Sequence, residues 1–231
     1  MIKKVVKAII PYGVLWLIRK IRKAFSESEP KPLENPPLPE KPSVTALFNG
    51  NDTMFKSLLQ KANVYGEYGC GESTQWVLEN TKTQVLTVDT SLQWIDEVKQ
   101  GLDDEKMKRV QIKHVDLGDL MIWGRPNSYD KRDKFSHYTD WIWQQSVKPD
   151  TVLIDGRFRV CSFLTSLKFA NEGTKLIFDD YTDRPFYQII EQFLPREEVC
   201  GRQCLFIVPN RNKIDLESIE TEIINFRHVL E

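Results

Sequence analysis

Several things are scarce in this chain of 231 residues, and each scarcity closes off a class of protein. Long apolar runs are absent from its N-terminal segment: the uncharged stretch at 8–18 has only eleven residues, interrupted by Pro11 and Gly13, whereas a bilayer of about 30 Å needs about 20. No small-residue cleavage site follows it, and Arg19-Lys20-Ile21-Arg22-Lys23 comes directly after, so a secretory leader is not expected. Cysteine is limited to Cys70, Cys161, Cys200 and Cys204. Their spacing matches no metal knuckle, so reduced thiols in a cytoplasmic protein are expected. Net charge is nearly lacking too, at −1, but residues 1–25 hold seven basic side chains and no acid. The remainder has 25 basic against 33 acidic groups, about −8, and a domain that acidic is not expected to grip nucleic acid. No internal repeat is visible.

What is present divides into three parts. Residues 1–25 place basic clusters on both sides of the apolar run, with Trp16 and Phe25. This suits a helix lying on an anionic inner leaflet, or alternatively a helix docked on the catalytic domain or a partner. Residues 26–43 hold half of the chain's 12 prolines and read as an extended spacer. The whole chain is 41% hydrophobic, and residues 44–231 are enough for one α/β domain with a sizeable core. Its first helix is expected over 52–62.

The densest signal is Glu67-Tyr68-Gly69-Cys70-Gly71-Glu72-Ser73-Thr74. A short strand (64–66) precedes it and a helix (73–80) follows. Glycines allow a ligand to approach the backbone, and the first helical amides are unpaired donors. The next strand, Gln84 to Asp89, ends in a carboxylate 18 residues past Gly71, where α/β sheets offer an acid to ribose hydroxyls. A dinucleotide fingerprint would place a third glycine where Thr74 stands, which disfavours pyrophosphate and a nicotinamide oxidoreductase. Further strands are expected over 109–116, 149–155 and 173–181, with a helix through Phe163, Leu164, Leu167 and Phe169, another near 185–193, and a hairpin over 198–208 turning at Gly201. Residues 215–230 carry Leu216, Ile219, Ile223 and Leu230 at helical spacing, a face for the sheet or for a second subunit in a homo-oligomer.

The pattern Glu-x-Gly-x-Gly-x-Ser resembles the first motif of class I S-adenosylmethionine-dependent methyltransferases. That resemblance, over roughly residues 63–209, implies a doubly wound, mostly parallel seven-stranded Rossmann-like sheet with a terminal antiparallel hairpin. It implies S-adenosylmethionine as cofactor, with Glu67, Gly69, Gly71 and Ser73 facing its methionine end, Asp89 the ribose and Asp116 the adenine. Asp155-Gly156 and Asp179-Asp180-Tyr181 are similar to the magnesium-holding residues of metal-dependent sugar O-methyltransferases, although Arg157 stands where those enzymes have a second acid. Three carboxylates on adjacent strand ends repel one another unless a cation neutralises them, and oxygen ligands favour Mg²⁺. Asp155, Asp179 and Asp180 are therefore the expected metal ligands, and Asp155 with His137 the expected catalytic groups, His137 as general base. Each has a plainer alternative: a cap, a cofactor contact, a solvated imidazole.

Arg157, Arg159, Tyr181 and Arg184 flank that edge as substrate-binding residues, the arginines for a carboxylate or phosphate; pairing with Asp179, Asp180 and Asp183 is the alternative. The long 116–148 connection, with Trp123, Tyr129, His137, Tyr138, Trp141 and Trp143, reads as a lid with aromatic platforms or as the core face of a short helix. Asp-Gly-Arg-Phe-Arg-Val, Phe-Asp-Asp-Tyr and Arg-Pro-x-Tyr together resemble a group of bacterial methyltransferase-like proteins. The Ile-Pro-Tyr-Gly start is similar to enzymes of surface-polysaccharide assembly, which implies a sugar or other small-molecule acceptor at the inner membrane. A different acceptor, or a non-catalytic scaffold of the same fold, remains open.

Overall fold

The computed structural model describes residues 46–231; the expected N-terminal docking segment and proline-rich spacer lie outside the described residues. Seven strands form one sheet in the order β3-β2-β1-β4-β5-β7-β6. β1 (Val64–Tyr68), β2 (Gln84–Asp89), β3 (Val110–His114), β4 (Thr151–Ile154) and β5 (Lys175–Phe178) are mutually parallel. β7 (Gln203–Ile207) runs antiparallel to β5, and β6 (Glu198–Cys200) antiparallel to β7. This is the doubly wound, hairpin-terminated sheet expected from the sequence. Except for β3 at the sheet edge, whose residues alternate in exposure, the parallel strands are buried on both faces: all four residues of β4 are buried, and in β1 all but Val64. That is why they read as nearly continuous apolar runs rather than as alternation.

The helices complete two layers. α1 (Thr53–Leu59) and α2 (Glu72–Asn80) cover one face with Phe55, Leu59, Val77 and Leu78 in a common core. α3 (Leu92–Gln100) starts at Ser91, whose Oγ accepts from Trp94 N, and α4 (Asp104–Arg109) starts at Asp103, whose carboxylate accepts from Lys106 N, both ordinary side-chain N-caps. On the other face α5 (Phe135–Asp140) and α6 (Arg159–Phe169) pack a larger cluster that includes Tyr68, Phe163, Leu164, Leu167 and Phe206. α7 (Leu216–Phe226) lies against α6 through Ile219, Ile223 and Phe226, with Asp215 as its cap.

Four details refine the sequence reading. The third strand starts at Val110, because Arg109 belongs to α4 and donates to the carbonyls of Leu78, Thr81 and Thr83. Phe169 ends α6 at 43% exposure instead of joining its apolar face. The helix expected near 185–193 is a 3-10 helix over Pro185–Gln192. Of the two readings of Tyr138 and Trp143, platforms or the core face of a short helix, the structure has the second: they are core side chains at 1% and 3% exposure. No helix among the described residues is long and apolar enough to cross a membrane.

Candidate functional site

β1 hydrogen-bonds to β2 on one side and β4 on the other, so chain progression reverses direction here, and the carboxyl ends of strands at such a reversal are where open α/β sheets bind ligands. Gly69 and Gly71 lead out of β1. Gly69 adopts φ +89°, and a Cβ on it would stand 2.8 Å from Gly156 Cα. Gly156, in the loop after β4, is equally confined: its Cβ would stand 2.7 Å from Tyr68 C and 2.8 Å from Gly69 N. The two loops are thus in direct backbone contact, which only a pair of glycines permits. Gly71 differs, since a Cβ there would meet nothing within 4 Å. Its outer side is open, beside the first turn of α2.

Beneath this turn lies Glu67, fully buried. It accepts from Tyr65 Oη at 2.9 Å and from the hydroxyls of Ser73 and Thr74; Thr74 Oγ1 in turn accepts from Gly71 N at 3.0 Å. Burial pushes the Glu67 carboxyl up to about 7 against the pull of those hydroxyls, because neutral donors only partly replace water around a charge. Glu67 and Ser73 therefore brace the loop from inside. Asp89 ends β2 at 6% exposure, accepting from Cys70 N at 2.9 Å and Ser91 N at 2.7 Å. Burial raises its pKa, opposed by these amides and by the positive charge of Arg157. Next to it the 122–124 turn docks through Thr90 Oγ1, which donates to Gly124 O at 2.6 Å. Trp123, left-handed at φ +60° and 62% exposed, stacks on Trp94 at 6.2 Å. Asp116, expected at the adenine, instead points to Lys131 and accepts from Gly118 N, which holds its carboxyl down to about 2.

The other half of the edge is ionic. Asp155, Asp179 and Asp180 offer oxygens that all lie within 4.8 Å of one another. Arg159, 3% exposed, bonds Asp155 Oδ1 at 2.9 Å and Asp180 Oδ2 at 3.0 Å. Arg202 pairs with Asp179 and, at 3.3 Å, with Asp180; Arg184 reaches Asp180 at 2.9 Å. Gln203 Nε2 donates to Asp179 at 3.0 Å. Burial and the neighbouring Asp179 raise the pKa of Asp155. Burial would raise Asp180 as well, but the charges of Arg159, Arg184 and Arg202 outweigh it and lower that carboxyl. The sequence reading missed Arg202; the signal was available, since the hairpin turn at Gly201 aims the next residue back at β5.

Of the expected substrate residues, Arg159 and Arg184 are committed to carboxylates, as the alternative had it. Tyr181 is buried, its hydroxyl donating to Glu191 at 2.7 Å. Arg157 is different: its backbone N donates to Tyr138 Oη at 3.1 Å, yet among the described residues its guanidinium makes no hydrogen bond or ion pair, and its Nε is buried. His137 is exposed on α5, with no hydrogen bond or ion pair to the cluster. Also missed was Glu231, 6% exposed, whose Oε1 accepts from Val160 N at 2.9 Å at the start of α6; burial pushes it up to about 7.

With that geometry described, solved structures supply the comparison. A methyltransferase-like protein from Silicibacter pomeroyi is 27% identical, covering 84% of this chain and 97% of its own, with a TM-score of 0.66. The chain has the methyltransferase fold. An O-methyltransferase from Bacillus cereus in complex with S-adenosylhomocysteine (16% identity, 87% and 91% covered, TM-score 0.43) and a putative O-methyltransferase from Klebsiella pneumoniae (16%, 88% and 94%, 0.48) share its general chain path and no more. No protein-family model and no curated protein matches the chain. Within the methyltransferase fold, the glycine turn, Asp89 and Asp155 lie at the carboxyl ends of β1, β2 and β4, where the strand order reverses.

Proposed function

We propose that this chain is an S-adenosylmethionine-dependent O-methyltransferase. The observation that carries the reading is the meeting of the β1 glycine turn, the β2 carboxylate and the β4 carboxylate at the point of sheet reversal. The residues present fit the cofactor: the open side of Gly71 and the first-turn amides of α2 suit its methionine end, and Asp89 suits the ribose hydroxyls. When bound, the cofactor supplies an electrophilic methyl group on a sulfonium. The chain's own part is to orient an acceptor hydroxyl in line with that methyl and to take its proton at Asp155, whose raised pKa suits a base. Arg157, whose guanidinium has no hydrogen bond or ion pair among the described residues, is the group for an anionic substituent on the acceptor.

The acceptor we favour is a sugar hydroxyl in surface-polysaccharide assembly, with residues 1–25 holding the enzyme at an anionic membrane; the basic N-terminus and the exposed Trp123, in the turn docked beside Asp89, support this. Magnesium assistance is not favoured, because the oxygens it would use already hold guanidinium groups. A non-catalytic scaffold is the second reading, favoured by one observation: both Asp89 oxygens already accept backbone amides.

Calorimetric titration of S-adenosylhomocysteine into the full chain separates them. A dissociation constant on the order of micromolar, weakened about 100-fold in Asp89→Ala through loss of bonds to charge, supports the enzyme. Absence of binding, or equal affinity in the variant, overturns the pocket.

A further inference from the structure

Arg159 has five N–H donors, and each has a partner. Nε donates to Gly156 O at 3.0 Å. Nη1 donates to Asp179 O at 2.8 Å and Asp180 Oδ2 at 3.0 Å. Nη2 donates to Asp155 O at 2.8 Å and Asp155 Oδ1 at 2.9 Å. A buried positive charge ringed by three carbonyl and two carboxylate oxygens has the oxygen-only surroundings that proteins give to hard cations. The charge count agrees: three carboxylates, Asp155, Asp179 and Asp180, face three guanidinium groups, Arg159, Arg184 and Arg202. A divalent ion added here would meet no uncompensated negative charge and would compete with Arg159 for the same oxygens.

We propose that Arg159 is the resident cation of this site, a guanidinium in the place of a divalent metal, so that the native chain binds no metal there and removal of the side chain opens an oxygen-lined cation site. The consequence for substrate is specific. Acceptors are not selected by chelating two neighbouring oxygens to a metal, and because every donor of Arg159 is spent, it offers none to the acceptor. That part rests on the methyltransferase reading; the exclusion of metal does not, and is read by ion binding alone.

The test is titration of the full chain with Mn²⁺, followed by calorimetry and by the relaxation of water protons. The native chain is expected to show no saturable site up to about millimolar metal, and its melting temperature to be the same in chelator and in Mg²⁺. Arg159→Ala is expected to gain about one ion per chain, a gain abolished when Asp179→Asn is added, and to melt higher in Mg²⁺ than in chelator. One saturable ion in the native chain, lost in Asp179→Asn, overturns the proposal. So does a cooperatively melting Arg159→Ala that gains no ion. Should Arg159→Ala fold only with metal present, that rescue is itself the expected gain. If metal does not rescue it, Arg159→Ser is titrated in its place and the native titration still decides the exclusion of metal. Cofactor affinity, measured in parallel with S-adenosylhomocysteine, reports separately on the methyltransferase reading.

Discussion

Glu67 and Asp180 are carboxylates at the same edge of the sheet, held in opposite ways. Glu67 is surrounded by three hydroxyl donors and no cation, and its pKa rises to about 7. Asp180 touches three guanidinium groups, and its pKa falls despite burial. Hydrogen bonds from neutral groups position a carboxylate without making its charge cheap; full positive charges do both. The glycine half of the site is therefore braced by geometry, and the strand 4–5 half by electrostatic balance. Arginines repeat the contrast at closer range: Arg159 is saturated while Arg157, two residues earlier, has no partner for its guanidinium among the described residues.

The comparison breaks most readily at Arg159. Arg159→Ala leaves Asp155, Asp179 and Asp180 short of a charge and should cost about 3–5 kcal/mol in urea unfolding without metal, whereas Arg157→Ala should cost under about 1 kcal/mol. Equal losses would erase the distinction between them. Next comes the seam joining the halves. Gly156→Ala forces a Cβ against Tyr68 and Gly69 backbone and should destabilise by about 2–3 kcal/mol, visible as a lowered denaturation midpoint.

A pH series on Glu67→Gln probes the neutral half. The folded-state pKa of Glu67 lies above its ordinary 4.5, so its favourable contribution is complete below that value and is lost as pH rises toward 7. Up to about 3 kcal/mol of the decline across that window should vanish in the variant. Glu231 acts in the same window and direction, so the remaining slope should flatten further in Glu231→Gln. Asp180 has the opposite sign, its contribution present at neutral pH and lost as pH falls below the ordinary 3.8. The smallest effect belongs to His137→Ala, within about 0.5 kcal/mol of native stability because the ring is exposed. An unchanged pH profile of transfer in that variant would leave Asp155 as the base.

The glycine turn, the strand-end acids and the closing hairpin were legible in the sequence because local chemistry determines them: backbone access at Gly69 and Gly71, continuous apolar strands, a turn at Gly201. Partners contributed from far along the chain were not legible. Nothing near Asp116 indicates that Lys131 reaches it, and nothing near Val160 indicates that Glu231, 71 positions later, accepts its amide. The aromatic residues of α5 and its continuation were ambiguous for another reason: Tyr138 and Trp143 carry polar atoms that suit a binding surface, yet both are satisfied internally, Trp143 Nε1 donating to Tyr68 Oη at 3.0 Å and Tyr138 Oη accepting from Arg157 N. The cation expected among Asp155, Asp179 and Asp180 was magnesium; the charges that the structure sets against these carboxylates belong to Arg159, Arg184 and Arg202.

The bare contact between Gly69 and Gly156 also has a mechanical meaning. With no side chain between them to act as a cushion, and with Asp155 N donating to Tyr68 O at 3.3 Å, the loop after β1 and the loop after β4 are expected to move together. A molecule that stiffens the first loop restrains the second, so occupancy at the glycine turn should slow amide exchange around Arg157 before any acceptor arrives.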